Sequence, residues 1–233
     1  MPLSSSIRTP RRALYTALTS ALCALSFAAL PSGAFAADVV ATTPAGINVL
    51  ETAETAQTCR APKVINPFAG FGDLRDYVLA PGGTFEEKQL EGWQVVKAKQ
   101  DGDHSPLELS KNREDDNKHS LKVPAGGSAV SPAMCVDLHY PTMRFMAKPE
   151  KNKGRLDIQV IYPDSDNPKF HDSGSLESTG KDWAATGDLP VYPERGGAAP
   201  GMRRVALRFT SVATNGQAGD WRIDDLYVDP HRR

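Results

Sequence analysis

Two stretches of this chain alternate apolar and polar residues one for one, and that period of two is what most limits how the chain can fold. Leu156, Ile158 and Val160 alternate with Arg155, Asp157 and Gln159. Val205, Leu207 and Phe209 alternate with Arg204, Ala206 and Arg208. Successive side chains of a strand point to opposite faces, so each run has one face for a core and one for solvent. Further strand candidates are Tyr77–Leu79, Trp93–Lys97, Ser120–Val123, Met134–Leu138, Met143–Ala147 and Trp221–Val228. Turn clusters separate them: Pro-Gly-Gly at 81–83, Pro-Ala-Gly-Gly at 124–127, Asp-Ser-Asp-Asn-Pro at 164–168, Gly-Gly-Ala-Ala-Pro-Gly at 196–201 and Asn-Gly at 215–216. Many short strands with turns between them, and no long 3.6-residue apolar period, predict an all-β sandwich or barrel.

This texture begins at Cys59. Before it, Arg8, Arg11 and Arg12 precede an apolar stretch from Ala13 to Leu30, which ends at Pro31 and the small residues Ala34-Phe35-Ala36. That order is a basic segment, an apolar segment and a cleavage site, so residues 1–36 are expected to be an export signal cut after Ala36. A spanning anchor would need roughly 20 strongly apolar residues, and this stretch is interrupted by hydroxyls. Arg11-Arg12 keeps the twin-arginine route open beside the general secretory one. Residues 37–58, rich in Ala and Thr, read as a flexible leader, and residues 59–233 as a single domain. No later segment is apolar enough to span a membrane. The expected location is therefore secreted, extracellular.

The chain has 27 basic and 28 acidic residues, and loss of Arg8, Arg11 and Arg12 leaves 24 against 28, a net of about −4. That balance gives no electrostatic case for nucleic acid. Of three cysteines, Cys23 leaves with the signal. Cys59 and Cys135 are expected to pair in an oxidising compartment, the alternative being two buried thiols.

The two ends of the domain carry a resemblance. Pro81-Gly82-Gly83-Thr84-Phe85-Glu86-Glu87 is followed by Gly92-Trp93, and Trp221-Arg222-Ile223-Asp224-Asp225-Leu226-Tyr227-Val228 closes the chain. The pair resembles the galactose-binding-like jelly rolls of bacterial carbohydrate-binding modules. The resemblance implies a jelly-roll β-sandwich whose first and last strands are neighbours. It also implies a structural calcium, with Glu86 and Asp225 as ligands and Asp224 a less certain third. It covers about 20 residues, and residues 64–80, with Phe68, Phe71 and Tyr77, have no place in the simple module.

The residues themselves pose the same question. In an uninterrupted last strand, Trp221, Ile223, Asp225 and Tyr227 share one face and Arg222, Asp224, Leu226 and Val228 the other. Each face then carries a carboxylate among apolar groups, which is costly without a partner. A calcium ion, which takes hard oxygens, would solve this. So would an arginine such as Arg204 or Arg222, or a bulge that re-aims the pair.

Catalytic patterns are absent. The histidines have no metal spacing, no Gly-x-Ser-x-Gly elbow occurs, and Asp172-Ser173-Gly174-Ser175 reads as a turn in a polar loop. Trp93 and Trp221 are expected in the core, whereas Trp183 and Tyr192, in a Gly/Pro-rich region, are the candidates for a sugar-stacking surface. The expected function is a non-catalytic secreted sandwich that binds polysaccharide. A cell-envelope component with a protein partner is the alternative, and an uncharacterised hydrolase or lyase comes third.

Overall fold

The computed structural model describes residues 63–86, 90–107, 109, 117–136, 142–150, 153–165, 168–192 and 203–229. The expected signal at 1–36, the leader at 37–58 and Cys59 lie outside the described residues.

A 3-10 turn, Ala69–Phe71, precedes thirteen strands among the described residues. In chain order they are β1 (Val78–Leu79), β2 (Gln94–Val96), β3 (Lys99–Asp101), β4 (Ser120–Val123), β5 (Ser128–Val130), β6 (Met134–Val136) and β7 (Thr142–Pro149). Then follow β8 (Arg155–Ile161), β9 (Phe170–Glu177), β10 (Ala184–Ala185), β11 (Leu189–Pro190), β12 (Arg203–Val212) and β13 (Trp221–Asp229). They make two antiparallel sheets. Sheet A runs β10-β7-β13-β4-β3, with β1 on β13 and β11 on β7. Sheet B runs β2-β5-β12-β8-β9, with β6 on β12. The chain passes from A to B and back several times between β3 and β13, as in a jelly roll, so the expected all-β sandwich is present.

One core joins the sheets. The alternating residues of β8 and β12 (Leu156, Ile158, Val160; Val205, Leu207, Phe209) meet Leu121, Phe145, Ala147 and Ile223 of sheet A in one buried cluster. Phe145 and Phe209 touch edge to face across it, with ring centroids 5.3 Å apart. Burying one such side chain stabilises by about 1.5–3 kcal/mol. Trp93 and Trp221 lie in this core, as expected.

The last strand departs from uninterrupted alternation. Its register on β7 shifts between Asp224 and Tyr227, and Asp225 takes φ 50°. The extra residue of this bulge resets the phase. Trp221, Ile223, Leu226 and Val228 all reach the central core, whereas Tyr227 packs in a second cluster with Phe68, Tyr77, Leu109 and Met146. The two mixed faces of a regular strand become one apolar face and one face of Arg222, Asp224, Tyr227 and Asp229.

Residues 65–80 are both an added strand and a cover. Ile65 and Tyr77 bridge, β1 pairs with the end of β13, and Phe68 and Tyr77 seal the outer side of β7 and β13. Asp172-Ser173-Gly174-Ser175 is no turn but the middle of β9, paired to β8 along seven positions. An edge strand with one open face tolerates the polar residues that made this segment look like a loop.

Candidate functional site

The outer faces of the two sheets differ in kind. On sheet A the 65–80 segment is clamped by charge. Asp73 Oδ2 accepts from Arg75 Nη2, the Tyr77 hydroxyl and Arg144 Nη1, each at 2.7 Å. The hydrogen bond from Arg75 does most to hold this carboxyl far below its usual range. The Arg144 guanidinium lies 4.5 Å over the Phe68 ring and donates through Nε to the Thr186 carbonyl at 2.9 Å.

Beside the clamp, register sets Lys99 opposite Lys122, and Lys122 and Lys148 on either side of Arg222. Like charges facing one another across strands are unfavourable. Carboxylates at the strand ends and flanking turns offset them: Glu150 and Asp220 on Lys122 at 2.9 and 3.2 Å, Asp103 on Lys148 at 2.7 Å, and Asp101 on Arg222 at 3.0 Å, with Glu150 also on Arg222. This face is a neutralised, covered surface.

Sheet B leaves two rows of side chains at least partly uncovered. Register aligns Gln94, Val130, Arg208, Gln159 and Asp172 in one row across five strands. A second row holds Val96, Ser128, Thr210, Asp157 and Ser175. Every polar member is partly or fully exposed. Alongside runs an apolar shelf of Val130, Ile161 and Ala206, with Phe170 packed on it. The Arg208 guanidinium lies over the Phe170 ring, 3.6 Å from its centroid. Arg208 Nε donates to Gln159 Oε1 at 2.8 Å, Nη2 donates to the same oxygen, and Gln159 Nε2 donates to Asp172 Oδ1 at 2.7 Å. Arg155 neutralises Asp157 at 2.6 and 3.1 Å. These planar amide, guanidinium and carboxylate groups are suited to a polyhydroxylated ligand.

The residues singled out in the sequence lie elsewhere. Glu86, with its side chain 10 % exposed, accepts the backbone N–H groups of Lys118 and His119 at 2.8 Å each, and meets His119 Nδ1 at 2.8 Å. Asp224 and Asp225 are buried. Asp224 Oδ2 accepts the N–H of Ser105 at 2.9 Å, and Oδ1 that of Asp225 at 2.8 Å. The front motif does meet the last strand, because Leu226 donates to the Gly83 carbonyl and accepts from Ala80, both at 2.9 Å. Among the described residues, no group of three or more His, Cys, Asp or Glu could hold a metal.

Trp183 is half-buried against the second cluster and donates to Asp103 at 3.3 Å. Tyr192 is half-exposed with φ 50°, and its carbonyl accepts the Tyr162 hydroxyl. Cys135 lies half-buried in β6. Sequence reasoning named Arg208 and Gln159 only as solvent-facing alternates. Their alignment with Asp172 is a matter of strand register, which no local signal carries.

No protein-family model and no curated protein matches the sequence. Solved structures that resemble the chain include carbohydrate-binding modules, the class to which the end motifs pointed. TmCBM61 in complex with β-1,4-galactotriose is 17 % identical, with a TM-score of 0.37, over 66 % of this chain and 98 % of that one. The CBM22-1 xylan-binding domain of Paenibacillus barcinonensis Xyn10C is 13 % identical, with a TM-score of 0.39, over 63 % and 90 %. Arabinose-bound MgGH51 α-L-arabinofuranosidase is 15 % identical, with a TM-score of 0.46, over 65 % of this chain and 26 % of that enzyme. No helix among the described residues is long and apolar enough to cross a membrane.

Proposed function

We propose that this protein is a secreted, non-catalytic β-sandwich that binds polysaccharide across the open face of sheet B. The row of Gln94, Arg208, Gln159 and Asp172 beside Phe170 carries the reading. Such a face binds by geometry common to sugar recognition: ring hydroxyls exchange hydrogen bonds with amide, carboxylate and guanidinium groups, while apolar C–H faces lie against aromatic and aliphatic surface. Strand spacing repeats these groups at regular intervals, which suits a polymer more than a single small molecule. Nothing in the row resembles a nucleophile with an adjacent base, so binding without turnover is the simplest chemistry it supports.

A structural calcium is part of this proposal, held by Glu86 and Asp225 with Asp224. What supports it is that Asp224 and Asp225 are buried carboxylates in the last strand, and that the front motif carrying Glu86 meets that strand at Leu226. The ion would tie the first turn of the domain to its last strand. A Cys59–Cys135 disulfide and export of the chain belong to the same reading.

Binding is tested by isothermal titration and affinity electrophoresis of the intact protein against neutral and acidic plant and microbial polysaccharides. Saturable binding that Gln159→Ala weakens supports the proposal. A panel without binding sinks it.

A second reading has its own observation. Val64, Phe71, Leu74 and Leu79 are exposed large apolar residues in one segment, Leu74 at 71 %. That clustering fits a cell-envelope component docking on a protein partner.

A further inference from the structure

We propose that the glycan taken by this face is acidic, a uronate, and that Arg208 is the residue that reads its carboxylate. The inference rests on the reading of sheet B as a glycan-binding face and names the ligand class.

The other arginines whose ion pairs are known show what is unusual. Arg75 and Arg144 hold Asp73, Arg155 holds Asp157, Arg204 holds Asp164, and Arg222 holds Asp101 and Glu150. Arg208 has no carboxylate among the described residues. Its bonds go to one amide oxygen, Gln159 Oε1, and its flat face lies on Phe170. Asp172 is the carboxylate of the same row, but Gln159 stands between the two. Its oxygen takes Arg208 and its Nε2 takes Asp172.

A guanidinium half removed from water without a counter-ion is poorly solvated. Burial pushes the Arg208 pKa down, with only the field of Asp172 opposing. A ligand anion would restore what the fold withholds.

The geometry also selects the anion's shape. Gln159 occupies the Nε/Nη2 edge of the guanidinium. The Nη1/Nη2 edge is left as a planar two-donor fork, which matches a carboxylate held by two parallel hydrogen bonds. Stacking on Phe170 fixes the plane of that fork before any ligand arrives. On the β5 side of Arg208 the rows hold Gln94, Ser128 and Val130, with Thr210 beside it on β12, all uncharged. On the β8 side, Asp157 is already neutralised by Arg155. Rooted on β12, the Arg208 guanidinium reaches across to the Phe170 ring of β9, where Asp172, the one carboxylate of the row, is held by Gln159 Nε2.

The test compares matched polymers on the intact protein by isothermal titration. The probes are polygalacturonate, alginate and glucuronan, each beside the same polymer with its carboxyl groups reduced to alcohols. Xylan, galactan and a sulfated neutral galactan complete the set. Binding to at least one polyuronate should exceed binding to its reduced partner about ten-fold or more. Arg208→Gln should abolish that preference. Asp172→Asn should tighten polyuronate binding, because it removes the one like charge in the row, whereas a neutral sugar held by Asp172 would bind more weakly.

If reduced or neutral polymers bind as well as polyuronates, or if Arg208→Gln keeps the preference, the inference falls and the glycan-binding face stands. Preference for the sulfated galactan over every polyuronate also overturns it. If no polymer of any class binds, both readings fall. Melting temperatures of the variants report folding, and should Arg208→Gln not fold, the matched polymers and Asp172→Asn decide.

Discussion

The carboxylate of Asp224 accepts the backbone N–H of the next residue, Asp225, at 2.8 Å, and Asp225 holds φ 50°. A non-glycine residue in the left-handed region is unfavourable by itself, so this hydrogen bond stabilises the bulge that lets both flanking apolar pairs face the core. The same carboxylate also holds the Ser105 amide. Replacing it strands two buried N–H donors, each worth about 1–3 kcal/mol. Asp224→Ala is expected to lose about 2–4 kcal/mol in urea unfolding, and Asp224→Asn clearly less. Equal, small losses for both would show that the bulge does not depend on this group.

Gly83 lies where the front motif crosses the last strand. A Cβ there would come 2.7 Å from the Leu226 carbonyl oxygen and 2.9 Å from that of Ala80. Both contacts are backbone, so neither can rotate away. Gly83→Ala should cost about 1–3 kcal/mol. Gly70→Ala, with nothing within 4 Å of the added carbon, should stay within about 0.5 kcal/mol of the parent. Thermal melts of the two variants check this, and similar values for both would refute the close approach.

Acid should loosen the cover of sheet A. Asp73 is held far below the usual carboxylate range, first by Arg75 and also by Tyr77 and Arg144. Asp101 and Asp103 are lowered as well: burial pushes each up, and hydrogen bonds from Arg222 or Lys148 outweigh it. A depressed folded-state pKa gives stability that is complete above the unfolded value, about 3.9 for Asp, and is lost as pH falls below it. Unfolding free energy should therefore drop below about pH 4. The gap between the parent and Asp73→Asn should narrow from pH 7 to pH 3 in urea titrations. A gap independent of pH would mean that Asp73 does not act through its charge.

Calcium binding is checked by melting. At a free concentration 100 times its Kd, an ion that binds only the folded state adds about 2.7 kcal/mol, which is a shift of several degrees. Glu86→Ala and Asp225→Ala should remove the shift. If chelator and calcium give the same melting temperature, the calcium proposal ends there.

Export and the disulfide are read together. The mature protein from the culture medium should begin at Ala37 and show no free thiol until reduced. Reduction should then lower stability by about 2–4 kcal/mol. Two titratable thiols in the unreduced protein would contradict the Cys59–Cys135 pairing.

Sequence alone determined the class of fold and much of its core. The alternations at 155–160 and 204–209 are local, and a strand with one face in water can bury only the other, so Leu156, Ile158, Val160, Val205, Leu207 and Phe209 were legible as core. So were Ser120–Val123 as a strand and the meeting of the Gly-Gly-Thr-Phe motif with the last strand. Tertiary structure alone decided the rest. An edge strand such as β9 has no apolar pattern of its own and exists because β8 offers it hydrogen-bonding groups. The bulge at Asp225 is fixed by an amide and a carboxylate held in place by packing, and the sequence offered it only as one of three solutions. The row that joins Arg208, Gln159 and Asp172 depends on the register of three strands, and Phe170 beneath Arg208 on the same pairing. A sequence records which residues face outward; only the pairing of distant strands decides which of them stand side by side.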